Sequence, residues 1–464
     1  MRSCIFLALL GASAMALLAQ APPQDLTPPS SPTQRLIQEI GEHSGMMANL
    51  EELCDGIGPR LTGSQRLRRA QAWAKRKLEA YGAVNVHEES YDMGRPWVRG
   101  VARARLVNAN GQSLSIAQMG WTEGTHGVVR GNVVVLDVRT LTEFQAVAPS
   151  LAGKVVLVVN RPRATEEEQK DLLAFRTKLR KTWRVARIAL TLLISDKEGG
   201  LLNMGGGPEN PYQSRTAFIS QPHANLLRRL LAGGITPRVE AELGGTFGPH
   251  SVKAYNLVAD IKGQETPEDM VILGAHLDSW DLGTGATDNG TGSVVAMEVL
   301  RATQALRLRP KRTLRVVLFS GEEQGLLGSK AYLAAHAGEL KHIQAVLVDD
   351  GGSGRITGFP DMEVEAWDAP LMTALALAKG LGAVDLPWGI MRGSDEESFF
   401  EKGIPAFGPL QDPLDYRTHT HHSEMDSLEH VVQADLTQGA QVMAVMAWGL
   451  LHGERLPHQP GKVQ

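Results

Sequence analysis

Residues 316–329 read VVLFSGEEQGLLGS. Val316, Val317, Leu318 and Phe319 form a continuous apolar run, as expected of a short strand buried on both faces. A Ser-Gly turn follows at Ser320 and Gly321, and then two carboxylates stand side by side, Glu322 and Glu323. Like charges that close raise one another's pKa and gain little from burial, so paired acids at the end of a core strand need a purpose other than stability.

The same texture recurs after Lys253. The strand-like runs AYNLVADI, DMVILGA, RTLRVVLF, QAVLVD and IPAFGPL alternate with the helix-like runs GSVVAMEVLRATQAL, LLGSKAYLAAHA, APLMTALALAKGL and QGAQVMAVMAWGLL. This alternation predicts an α/β fold with a mostly parallel central sheet flanked by helices. DMVILGA ends at His276, RTLRVVLF just before Glu322 and Glu323, and QAVLV at Asp349 and Asp350. Three apolar strands therefore deliver His, Glu and Asp at their carboxyl ends, the edge where open α/β sheets bind ligands. Two further groups sit in loops: Asp288 in GATDNGTG, and the cluster HTHHSEMDS at 419–427.

The chain has 464 residues, too many for one compact core, so two domains are expected. It is 43% hydrophobic and 21% charged, with a net charge of -4, and nothing in that balance calls for a nucleic-acid or membrane-surface partner. The opening MRSCIFLALLGASAMALLAQA, residues 1–21, carries the charge, apolar run and small-residue end of a cleaved secretory signal. It predicts a secreted or periplasmic protein. Cys4 leaves with that segment, so Cys54 has no partner within the chain and stability cannot rest on internal disulfides. Residues 22–34 are Pro/Ser-rich and read as a flexible leader. Two helices are expected between Arg35 and Tyr81, broken by GIGPRLTGS at 56–64. From 101 to 248 short strands prevail, with one helical stretch at 166–195 whose basic face is solvated. The expected domains are thus 35–100 with 249–455, and an insert at 101–248.

His, Asp and Glu without Cys suggest a zinc-type hydrolytic site. In AHLDSWD, Asp278 is placed to hold a ring nitrogen of His276 and fix its tautomer. The runs GAHLDSWDLGTGATDNGTGS, FSGEEQGLLGS, LVDDGG and HHSEMDS, in that order, resemble the dinuclear-zinc exopeptidase family. That family includes bacterial leucyl aminopeptidases and glutamate carboxypeptidases. LCDGIGPRLTGS and RPKRTLR fit it too, and the 101–248 insert resembles that family's protease-associated domain.

The resemblance implies two zinc ions per chain. His276 and Asp350 would hold one, Glu323 and His422 the other, and Asp288 would bridge both. His422 is taken over His421 because the family's histidine lies four residues before an acid, here Asp426. Asp350 is taken over Asp349 because it directly precedes Gly-Gly. The Asp288-Asn289 bond would be cis. Glu322 would stay free as general base, which answers the question of the paired acids. His421 is either a donor to the developing oxyanion or a packing neighbour. The implied protein is a secreted exopeptidase that hydrolyses dipeptides or short peptides with metal-activated water, and forms a homodimer. Aminopeptidase action, a zinc amidase or cyclase, and a non-catalytic receptor on the same fold remain alternatives. Polarity is open: Arg392 or Arg417 would serve a substrate carboxylate, Asp349 a free amine.

Overall fold

In the computed structural model, which describes residues 31–159, 178–179, 182–208 and 214–459, the apolar runs form a six-stranded sheet. Its strands are β1 (Val84–Gly94), β2 (Val252–Ile261), β3 (Thr266–His276), β4 (Arg312–Phe319), β5 (Ile343–Val348) and β6 (Ala406–Phe407). They lie in the order β1-β2-β4-β3-β5-β6. β4, β3, β5 and β6 pair in parallel, whereas β2 is antiparallel to both β1 and β4. The sheet is therefore mixed, not mostly parallel throughout. The cause is the connection 262–265 between β2 and β3, far shorter than the dozen or more residues that a parallel crossover needs. The expected signal at 1–21 and most of the leader lie outside the described residues.

The helices used below are α1 (Pro32–His43), α2 (Gln65–Ala80), α3 (Thr291–Ala305), α4 (Leu327–Ala335) and α5 (Gln433–His452); others include Gln221–Ala232 in the insert and Glu365–Leu375. α1 starts inside the Pro/Ser-rich stretch, earlier than Arg35. Ser31 accepts the Gln34 N–H while the Gln34 side chain returns to the Ser31 N–H, and Pro32 occupies the first turn, where no N–H is required. α3 and α5 pack on the sheet and on each other, and α1 covers both. Burial of β3, β4, β5, α3 and α5 makes one continuous core, which explains why these segments read as unbroken apolar runs rather than alternating ones.

A second, eight-stranded sheet is built from the insert. Its order is 113–114, Ala102–Leu106, Arg238–Leu243, Val129–Leu136, Val155–Val158, Leu190–Ile194, Thr216–Ile219 and Ile116–Gln118. It packs around cores of its own. Of the helical reading of 166–195, residues 166–177 and 180–181 lie outside the described residues, 178–179 and 182–185 are helical, and the end is corrected: Leu190–Ile194 is a strand, parallel to Val155–Val158 on one side and Thr216–Ile219 on the other. A short apolar run of this kind cannot be told from buried helix by periodicity. A two-stranded neck, Trp97–Val98 against Thr246–Phe247, joins the two sheets. Beyond the neck the backbones approach so closely that a Cβ on Gly100 would sit 2.2 Å from the Gly244 carbonyl oxygen.

One ion pair lies inside the main core. Arg315 on β4 donates from Nε and Nη2 to the two oxygens of Asp260 on β2, at 2.8 and 2.9 Å, and from Nη1 to the Tyr332 hydroxyl. Both charged residues are buried. Asp260→Ala leaves the guanidinium uncompensated, and we expect a loss of about 3–5 kcal/mol in denaturant unfolding. A loss below about 1 kcal/mol would mean that Arg315 finds another partner or water.

Candidate metal centre

Sheet order brings the three strand ends together. β3 lies between β4 and β5, with His276 paired to Phe319 and Gly274 to Val348. His276 thus stands at the centre of the carboxyl edge, Glu322 and Glu323 follow on one side, and Asp349 and Asp350 on the other. His276 is fully buried. Its Nδ1 lies 2.9 Å from the Asp278 carbonyl oxygen, so this nitrogen carries the proton and Nε2 presents its lone pair to the cleft. The orienting group is thus the Asp278 backbone; its carboxylate Oδ1 is 3.7 Å away, and Oδ2 accepts the Thr62 hydroxyl at 2.8 Å.

Asp288 reaches both ends of the site. One oxygen lies 3.2 Å from His276 Nε2 and the other 3.4 Å from His422 Nε2. The turn that carries it is held by Asp426. Oδ1 of Asp426 accepts the Thr287 N–H at 2.7 Å and the Thr287 hydroxyl at 2.8 Å, and Oδ2 accepts the Asp288 N–H at 3.2 Å. The Asp288-Asn289 peptide is cis, and Asn289 donates to the Asp349 carbonyl and accepts the Gly292 N–H. Gly292 cannot be larger, since a Cβ would lie 2.0 Å from the Asp349 carbonyl oxygen. Asn289 is fully buried, so the Asn-Gly-Thr sequence at 289–291 is no surface glycan acceptor.

Asp350 Oδ1 lies 3.3 Å from His276 Nε2, and Glu323 Oε2 lies 2.8 Å from His422 Nε2. Asp349 does not reach His276; its side chain is buried among the strand ends. Glu322 Oε2 is 4.0 Å from His276 Nε2. His421 stacks on His422 with ring centres 3.9 Å apart and leans on Tyr416. One donor atom each from His276, Asp288 and Asp350 lie within 4.8 Å of one another, and so do one each from Asp288, His421 and His422. The two donor groups share Asp288 and take in five of the seven residues singled out in the sequence; Glu323 and Glu322 stand beside them, next to His422 and His276.

The donors crowd one another, with Glu323 Oε2 as close as 2.8 Å to His422 Nε2, yet few of them make aligned hydrogen bonds. His276 Nε2, Asp288 Oδ2, both Glu323 oxygens and Asp350 Oδ1 are buried and have no hydrogen-bond partner. Unpaired buried lone pairs of this kind are costly, and a divalent cation of the imidazole-carboxylate type fits them. The charges agree. Burial pushes Glu322 and Glu323 well above the usual carboxylate range, and Asp350 and Asp288 push further. Burial also raises Asp426, to about 7. Asp288 moves down despite its burial, because His276 and His422 face it. Burial and the neighbouring His422 push His421 down to about 4.

Several residues of the site escaped sequence reading. Arg60 is wholly buried and donates to the main-chain carbonyls of Gly58, Leu277, Thr284 and Gly285, which pins the loop between His276 and Asp288. Lys197 and Glu424, from the insert and the histidine loop, bind across the two units. The GPR of the 56–64 loop was the only available hint for Arg60. Arg392 pairs with Glu397 at 3.2 Å and lies over Phe400, and Arg417 is exposed.

The profile of Peptidase family M28 matches residues 256–447. Carboxypeptidase Q of Bos taurus is 30% identical over 453 residues, covering 90% of this chain and 92% of the relative. The crystal structure of a Peptidase M28 precursor from Shewanella amazonensis superposes with a TM-score of 0.80 at 28% identity, covering 92% of this chain and 98% of that one. A zinc aminopeptidase from Bacillus subtilis shares the fold at 17% identity, with a TM-score of 0.64 and 91% and 95% coverage. With a relative this similar along nearly its whole length, and with a donor set that suits zinc, the chain belongs to peptidase family M28 and is a metallopeptidase.

Proposed function

We propose that this chain is an exported exopeptidase of the carboxypeptidase Q kind, hydrolysing dipeptides or short peptides with two zinc ions. The observation that carries the reading is Asp288, whose two oxygens face His276 and His422 separately. His276 and Asp350 would hold one ion, His422 and Glu323 the other, with Asp288 between. Bound zinc supplies Lewis-acid polarisation of the scissile carbonyl and makes water nucleophilic near neutral pH.

Glu322 does the proton work. It takes a proton from the attacking water and returns it to the leaving amine; a carboxylate whose affinity for protons is raised by burial suits both halves of that task. His421, held neutral by burial, donates its N–H toward the oxygen that gains charge. The insert is of the protease-associated type and serves as a roof. Leu202, Asn203 and Met204 lie against the His422 loop, so a chain end or a dipeptide enters where a folded substrate cannot. The unpaired buried donors argue against a non-catalytic receptor, which would have no cause to retain them. Polarity of attack is tested with dipeptides blocked at the amine or amidated at the carboxyl: loss of cleavage on N-blocking alone marks an aminopeptidase.

Three outcomes check the reading. Chelation abolishes hydrolysis and lowers the unfolding temperature, and added zinc restores both; a native-state ligand at a hundred times its Kd adds about 2.7 kcal/mol. Full hydrolysis by protein shown metal-free by elemental analysis would end the zinc assignment. Glu322→Gln keeps both metals while turnover falls by a factor on the order of 10²–10⁴. Glu323→Gln loses part of its zinc and recovers partly when zinc is in excess. If zinc stoichiometry shows the opposite pattern for the two variants, their roles are reversed.

A further inference from the structure

The strand Leu190–Ile194 of the insert runs directly into a loop that touches the histidine segment. Ser195 Oγ donates to the Leu201 carbonyl, and Asn203 exchanges bonds with Asp196, accepting its N–H at 2.9 Å and donating to its carboxylate at 2.8 Å. The loop 195–203 is thereby closed on itself and rigid. From it, four contacts cross to the other unit. Lys197 Nζ donates to the Arg417 carbonyl at 2.8 Å. The Leu202 N–H donates to the Glu424 carboxylate at 2.9 Å. Asn203 bridges to Ser423, and the Met204 N–H donates to the carbonyl of His422 itself at 2.6 Å.

Two further observations make this more than a packing contact. The Lys197 side chain is 4% exposed, and among the described residues the one carboxylate paired with it, Asp196, is 3.8 Å away and mostly in solvent. A buried ammonium is costly to hold, and here its one close bond goes to the turn that leads into His421 and His422. His422 also has φ 54, in the left-handed region that a side chain other than glycine seldom adopts. A backbone conformation of that kind persists where surrounding bonds over-determine it. The Met204 and Leu202 donors supply those bonds on either side of Ser423.

We propose that the 195–204 loop of the insert is a clamp that sets His422 for metal binding, with Lys197 as its charged anchor and positioning residue. The insert is then a part of the metal centre and not only its roof. This rests on the reading of His422 as a zinc ligand.

The test uses the full chain and measures zinc retention against a competing chelator, with elemental analysis, beside unfolding of the metal-free protein. Lys197→Met keeps the stem and removes the donor. Zinc should be held about ten- to a hundredfold more weakly, the usual effect of losing a group that orients a ligand, with the metal-free unfolding temperature unchanged. Lys197→Arg should recover part of the loss. Glu424→Gln weakens the same clamp from the other side and replaces Lys197→Met if that variant does not fold. Unchanged zinc retention in both overturns the clamp. So does weakened retention accompanied by an equal fall in metal-free stability, since that is general loosening. His422→Ala separates the two levels. If it keeps full zinc, the ligand reading itself fails and the clamp with it; if it loses zinc while Lys197→Met does not, only the clamp fails.

Discussion

The Asp426 carboxylate accepts three donors from the Thr287-Asp288 turn, and the geometry of the cleft is laid out from that contact. Asp426 sits four residues after His422, so the same loop that carries one imidazole also fixes the carboxylate standing opposite it. A buried acid is tolerated only when its lone pairs are used. Here they are used on the Thr287 N–H and hydroxyl and on the Asp288 N–H, which turns a desolvation cost into a constraint on where the Asp288 oxygens point. Arg60 applies the same logic with the opposite sign. Its guanidinium is buried without a carboxylate and spends its donors on the carbonyls of Leu277, Thr284 and Gly285, so the segment between His276 and Asp288 has little freedom left.

Sheet topology explains why so much negative charge gathers on one side. A parallel arrangement of β4, β3 and β5 places three carboxyl ends side by side, and the polar residues of the site stand at the strand end or within four positions of it. No basic side chain is bonded to Glu323, Asp350 or Asp288 among the described residues apart from the two imidazoles that face them. Burial, with Asp288 and Asp350 close by, raises the proton affinity of Glu323, while the imidazoles facing Asp288 lower its own. Such a cluster is stable at neutral pH only with cations or protons among its members. A bound divalent cation would meet that requirement, which makes this edge the candidate metal centre.

Strand ends were legible in the sequence because the strands are buried on both faces, so each apolar run stops abruptly where the chain leaves the core. His276, Glu322, Glu323 and Asp350 stand at such stops. Asp288 and His422 were legible only through the resemblance of their loops, since a loop acid and a loop imidazole carry no periodic signal. The reversal of β2 was hidden because direction leaves no trace in an apolar pattern; only the short 262–265 connection betrays it. Leu190–Ile194 reads as the tail of a helix because a five-residue run with four apolar side chains fits either period. Lys197, Glu424 and Arg60 were invisible for another reason. Each acts on main-chain groups far away in the sequence, and a carbonyl or N–H partner has no residue type to match.

The joint between the two sheets carries the last step. Trp97 and Trp121, from the neck and the insert, stack with ring centres 6.2 Å apart, and Trp121 meets Trp280 edge-on. Trp280 in turn presents its edge to His422 at 6.1 Å. With Leu61, Met93 and Met204 these rings form a small apolar cluster separate from the main core. Arg99 adds a paired contact to Asp281, one residue beyond Trp280. An interface between units is commonly a polar surface with freedom to slide. This one joins an apolar ring cluster to a two-pronged ion pair and to the hydrogen bonds of the 195–204 loop, and it ends on the ring of a site histidine. Because the residue after His276 and Asp278 that fills the cluster is Trp280, the same short segment supplies a donor to the cleft and the anchor for the insert. Relative movement of the two units would therefore displace the imidazole that the acids surround, and the chain has bound the placement of its insert to the chemistry of its edge.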